Sequence, residues 1–105
     1  MDRIEKVIWT EDALTSFEEI IEYIGKDSSY YAKNFARKVL SAIERLILFP
    51  FSGKIVPEYN DPKLRELLYQ NYRIVYKIDP PTLFIALVIH GSREFPSSFK
   101  INTMI

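Results

Sequence analysis

Residues 64–93 read LRELLYQNYRIVYKIDPPTLFIALVIHGSR. Runs rich in β-branched and aromatic residues are broken by two turn-forming pairs, Gln70-Asn71 and Pro80-Pro81. The stretch therefore reads as three consecutive antiparallel strands, Leu64 to Tyr69, Tyr72 to Asp79 and Thr82 to His90. Residues opposite one another in such a pair share a face, so the faces can be counted through the turns. One face collects Leu67, Tyr69, Tyr72, Ile74, Tyr76, Ile78, Leu83, Ile85, Leu87 and Ile89. It is nearly all apolar and is expected to pack on helices. The other collects Leu64, Glu66, Leu68, Arg73, Val75, Lys77, Phe84, Ala86, Val88 and His90. In this register Arg73 lies opposite Val88, with His90 one diagonal step away. A slip of one residue would reverse the assignment.

Upstream, the chain supplies what such a sheet needs to cover it. Ile4 to Trp9 reads as a first strand. Thr10 followed by Glu11 and Asp12 is a helix start, a capping hydroxyl before two acids at the positive end of the dipole. Leu14, Phe17, Ile20, Ile21 and Ile24 follow at helical spacing, and Gly25 is a stop. Asp27, Ser28 and Ser29 form a turn and cap, and a second helix is predicted from about Tyr30 to Phe49. Its apolar stripe is Tyr31, Phe35, Val39, Ile43 and Leu46, widened by Ala32, Ala36, Ala42 and Ile47. The short link makes the helices antiparallel neighbours. Pro50 ends the second helix. Pro50 to Pro62 reads as a loop, with an extended piece at Lys54 to Val56. The fold class predicted is α+β: an N-terminal strand and an antiparallel two-helix hairpin packed on one face of a four-stranded, mostly antiparallel sheet. The first strand joins the meander.

A chain of 105 residues is a single domain, residues 1–105, with a tail from Glu94 that holds Phe95, Phe99, Ile101 and Ile105 as apolar anchors. Fourteen basic residues balance fourteen acidic ones, so no global field draws the chain to nucleic acid or an anionic membrane. The absence of cysteine excludes disulfides, thiolate metal sites and thiol nucleophiles. A lone histidine and three scattered glycines leave no metal constellation and no phosphate loop. No cofactor or metal is expected. MDRIEKVIW has no long apolar core and the longest apolar run is Leu83 to Ile89. No signal peptide or membrane partner is expected, and a cytoplasmic location is.

The chemistry that remains is on the second sheet face. Arg73, Lys77, His90 and Arg93 form a small basic cluster with one titratable imidazole. Arginines hold phosphates and histidine moves protons near neutral pH, which is minimal equipment for cleaving RNA at a ribose 2′-hydroxyl. Solvated decoration of a one-sided sheet is the plainer alternative. The apolar residues sharing the face, Leu64, Leu68 and Phe84 among them, point instead to a binding surface. Tyr30, Tyr31, Tyr69, Tyr72 and Tyr76 sit at core spacings, where tyrosine buries its ring.

Five pieces in this order, VIWTEDAL (7–14), LILFPFSGK (46–54), LRELL (64–68), YRIVYKID (72–79) and ALVIHGSRE (86–94), resemble the RelE/ParE superfamily of type II toxins, which includes plasmid stabilisation proteins. The resemblance implies a growth-inhibiting toxin neutralised by a cognate antitoxin that wraps it with a helix and an extended segment. RelE-like members cut mRNA on the ribosome, and ParE-like members bind DNA gyrase without catalysis. Arg73 matches the arginine of the family's YR-hydrophobic-hydrophobic-Y strand, and Arg93 the arginine after the last strand. Leu64 and Glu66 stand where RelE-like enzymes tend to carry lysines, and Phe99 falls at or near their tyrosine. The VIWTEDA, FPFSGK and HGSRE landmarks look more like ParE. The reading favoured is a ParE-like gyrase inhibitor. The alternatives are a ribosome-dependent mRNA endonuclease and an inactive remnant or interaction module. Arg73, Arg93 and His90 are the catalytic candidates if it is a ribonuclease. Leu64, Glu66, Leu68, Arg73, Lys77, His90 and Arg93 are the candidates for target or antitoxin binding.

Overall fold

The computed structural model describes residues 3–96 and residue 99. The elements run β1 (Lys6–Trp9), α1 (Glu11–Gly25), α2 (Ser29–Leu48), β2 (Lys54–Ile55), β3 (Leu64–Tyr69), β4 (Tyr72–Asp79) and β5 (Thr82–His90). A 3-10 turn over Pro50–Ser52 links α2 to β2. Both helix starts use the expected hydroxyls. Thr10 Oγ1 accepts from Ala13 N–H at 3.1 Å, and Ser28 Oγ accepts from Tyr31 N–H at 3.2 Å. Each satisfies an amide that the first turn leaves without a partner.

Among the described residues the sheet has five strands, not four, in the order β1-β5-β4-β3-β2. The extra strand is the two-residue extended piece at Lys54–Ile55, antiparallel to β3. Its neighbours are otherwise as expected: β3, β4 and β5 form the antiparallel meander, and β1 joins by pairing in parallel with β5.

On one face the helices contribute Ala13, Phe17, Phe35, Val39, Ile43 and Leu46, packed on Ile74, Tyr76, Ile78, Leu83, Ile85 and Val88. Fully burying side chains such as Leu46 and Val39 stabilises by about 1.5–3 kcal/mol each. Leu14, Tyr31 and Ile47, assigned to the helical stripes, are instead exposed, as is Tyr30. Tyr76 is the one tyrosine buried completely.

The other sheet face is also covered. Val56, Leu64, Val75, Ala86, Leu87, Ile89 and Phe99 form a second cluster with Phe95 packed against it. The loop after β2 and the chain beyond β5 thus supply a second layer. Phe95 and Phe99 stack with ring centroids 5.3 Å apart. Ile101 and Ile105 lie outside the described residues.

The register of β5 differs from the count made through the turns. Tyr76 pairs with Ile85 and Val75 with Leu87, so Ala86 has no opposite number on β4. This β-bulge exchanges the faces of everything after it. Leu87 and Ile89 join the second cluster, while Val88 and His90 turn toward the helices. Arg73 pairs with Ile89, not Val88, and His90 pairs with Tyr72. The start of α1 ties down the irregularity. Thr10 N–H donates to Ile85 O at 2.9 Å, and Thr10 Oγ1 donates to Ala86 O at 3.0 Å. Ser16 Oγ accepts from Val88 N–H at 3.1 Å and donates to Ala13 O at 3.0 Å. Two hydroxyls, one capping α1 and one within it, thus replace ladder bonds that β1 is too short to provide.

Candidate functional site

The bulge divides the predicted basic cluster between two places. On the face away from the helices, Arg73 is only 8% exposed. Its Nε donates to Glu66 Oε1 at 2.6 Å. Its two terminal nitrogens form a fork on Glu58, at 2.8 Å to Oε2 and 2.7 Å to Oε1. Phe95 closes the remaining side, its ring centroid 4.9 Å from the guanidinium carbon. Glu66 also lies 3.6 Å from the Lys54 ammonium. Two carboxylates against two cations leave the cluster neutral.

The electrostatics follow from this geometry. The hydrogen bonds that Arg73 donates to Glu58 hold it protonated beyond the ordinary arginine range, against the opposing effect of burial, with Glu66 adding to them. The hydrogen bond from Arg73 lowers the Glu58 carboxyl below its ordinary value of 4.5. A phosphate approaching Arg73 would have to displace a bidentate carboxylate and lift Phe95 away. The arrangement is that of a structural ion triad.

Around it, Leu64 is fully buried and Leu68, opposite Arg73 on β3, is 59% exposed. Lys77 is half-buried between Leu64 and Phe84 on the neighbouring strands. Three residues of the triad and its surroundings, Glu58, Lys54 and Phe95, are not among the candidates that the sequence offers. Glu58 and Phe95 come from loop and tail, where no period marks a side chain's direction. Lys54 lies in a strand too short to alternate.

His90 and Arg93 lie elsewhere. They line a groove of about 460 Å³ between α1 and the end of β5, with Glu19, Tyr23 and Tyr72. The His90 ring stands edge-on to Tyr72, with centroids 5.4 Å apart. Its Nδ1 accepts from Ser92 N–H at 3.2 Å and lies 2.7 Å from Ser92 Oγ. An accepting Nδ1 places the neutral ring's proton on Nε2. Arg93 is exposed. The groove gathers an imidazole, two phenols, a carboxylate and a guanidinium, all able to hydrogen-bond a polar segment. Among the described residues no group of three or more histidine, aspartate or glutamate side chains could hold a metal ion. No described helix is long and apolar enough to cross a membrane.

A third feature fastens the loop before β2. Tyr76 Oη donates to Pro50 O at 2.7 Å and accepts from Gly53 N–H at 3.0 Å. A Cβ on Gly53 would fall 2.5 Å from that oxygen and 2.7 Å from Glu66 O. The FPFSGK landmark is thus a backbone segment pressed against a buried phenol, and its glycine is there for space.

Set beside known proteins, residues 7–95 match the family model described as "ParE toxin of type II toxin-antitoxin system, parDE". The match spans all seven elements except the first residue of β1. No curated protein sequence matches the chain at a significant level.

Proposed function

The chain belongs to the ParE family of type II toxins, and we propose that it arrests growth by binding DNA gyrase in the cytoplasm rather than by catalysis. Membership in the family implies a cognate antitoxin as the physiological partner. The observation that carries the non-catalytic reading is the state of Arg73. The arginine that would stabilise a phosphorane in an RNA-cleaving relative is buried here and held by Glu58 and Glu66. With Leu64, Glu66 and Arg73 turned inward, contact with target or antitoxin falls to the accessible members of the set: Leu68, Lys77, His90 and Arg93.

The test is supercoiling by purified gyrase. Inhibition that rises with toxin concentration and is reversed by the antitoxin is expected. Unchanged supercoiling at high toxin concentration overturns the reading. Unimpaired growth on expression without antitoxin would instead mark an inactive remnant.

One feature favours a second reading, ribosome-dependent mRNA cleavage. The groove at the end of β5 brings His90 and Arg93 together with Tyr23, Tyr72 and Glu19, groups able to move protons and contact phosphate. Primer extension on mRNA from arrested cells separates the two, because codon-linked cuts belong to the nuclease alone.

A further inference from the structure

The outward side of the helical hairpin carries an asymmetry that the sheet does not explain. All charged residues of α1 are acidic: Glu11, Asp12, Glu18, Glu19 and Glu22. On α2, Lys33, Arg37, Lys38 and Arg45 outnumber Glu44. All ten side chains are exposed. Among the described residues none of the α1 carboxylates lies within 4.0 Å of an α2 cation. Opposite charges are thus sorted onto two neighbouring helices without neutralising each other within the chain.

An apolar seam lies between them. A Cβ on Gly25 would sit 3.7 Å from Ala32 Cβ, which identifies the flank of each helix that faces the other. Leu14 lies about three turns before Gly25 and so keeps that flank of α1; on α2 the seven-residue steps from Ala32 fall on the buried Val39 and Leu46, and Leu40 and Ile47, one residue further round, stand on its outward side. Leu14 is 48% exposed, Leu40 45% and Ile47 38%. They add aliphatic surface to the charged outward side of the hairpin.

We propose that this hairpin face is self-complementary and docks on a second copy of the chain as an antiparallel four-helix bundle. The charge pattern selects one symmetry. A twofold axis lying in the interface and parallel to the helices places α1 of one copy over α2 of the other, running in opposite directions. Acid then meets base twice, with Leu14 of each copy over Leu40 and Ile47 of the other. An axis across the helices would instead stack α1 on α1 and set acid against acid. Two helices about 10 Å apart and about 22–30 Å long present a face of roughly 500 Å². The total, about 1,000 Å², is at the low end for specific association. The dimer is therefore weak.

Sedimentation equilibrium of the purified chain from 5 to 500 µM tests this with two variants that stay folded by circular dichroism. Glu18→Lys/Glu22→Lys makes both helices basic, and Lys33→Glu/Arg37→Glu makes both acidic. The expected result is a monomer–dimer equilibrium for the natural chain and at least tenfold weaker self-association of either variant. An equimolar mixture of the two variants is expected to form a one-to-one dimer. Adding Leu40→Asp to both variants abolishes that mixed dimer if the seam is real; its survival would mean mere attraction of opposite net charges and overturns the proposal. So does a natural chain monomeric at 500 µM, which leaves the face to a helix of another protein. So does a dimer indifferent to the charge reversals, which is built on another surface.

Discussion

Replacing Arg73 by methionine keeps most of the side-chain volume and removes the cation from a site where one carboxylate cannot follow it into water. The Glu66 side chain is 2% exposed, and its other cationic neighbour, Lys54, is 3.6 Å away and 62% exposed. Glu58 is 43% exposed and simply rehydrates. The cost is therefore that of stranding one buried charge, about 3 kcal/mol, with about 0.5–1 kcal/mol more for the lost stacking on Phe95. Against a total stability of about 5–15 kcal/mol for a small domain, the variant folds but is severely weakened. With an m-value of about 1–1.5 kcal/mol/M in urea, the midpoint falls by roughly 2–4 M. The double variant Arg73→Met/Glu66→Leu removes the stranded charge and is expected within about 1 kcal/mol of the natural chain, because apolar replacement of a buried pair is close to neutral. Equilibrium urea unfolding of the four members of the cycle measures both. A single variant that loses less than about 1 kcal/mol, or a double variant no better than the single, would refute the view of Arg73 as a buried structural cation.

Gly53→Ala is expected to destabilise by about 2–3 kcal/mol in the same assay, because the new methyl overlaps Tyr76 Oη and Glu66 O. Tyr76→Phe costs about 2 kcal/mol, since it strands the Gly53 N–H and Pro50 C=O that the phenol satisfies. Thr10→Val loses the α1 cap and the bond to Ala86 O together, about 1–2 kcal/mol; Thr10→Ser recovers most of it, and calorimetric melting distinguishes the two. For pH, Glu58 is lowered in the folded state below 4.5. Its stabilisation is thus fully present above the unfolded value and lost as pH falls below about 4.5 through the folded one. Glu58→Gln should flatten that acid limb in urea midpoints taken from pH 7 to 3, by less than about 1 kcal/mol because the carboxylate is partly solvated.

The helices were legible because amphipathic spacing and hydroxyl caps are local signals, and Thr10 and Ser28 both act where the sequence places them. The meander was legible for the same reason at Gln70-Asn71 and Pro80-Pro81. Its last third was not. LFIALVI, residues 83–89, is apolar throughout, and both sheet faces are buried there. A strand buried on both sides has no alternation to set its phase, so inserting one residue into the pairing costs nothing in hydrophobic pattern. That is why His90 could be counted onto the face of Arg73 when it lies on the other. Glu58 was illegible for a different reason: a loop carboxylate can reach any nearby guanidinium, and only the folded path of residues 56–63 brings it to Arg73.

Ala86 also has a bearing on how members of such a family could diverge. One unpaired residue sets the phase of the four that follow, because Ala86 and Leu87 lie on the same face and the alternation restarts from there. A regular ladder that paired Ala86 with Val75 would carry His90 to the face of Arg73, and Leu87 and Ile89 would exchange places with Val88. Deleting Ala86 would instead remove the bulge and leave every later residue with its present partner. A relative lacking this residue would thus show a gap in the core and the same strand end, whereas one that keeps the residue and pairs it would show no gap and a different surface.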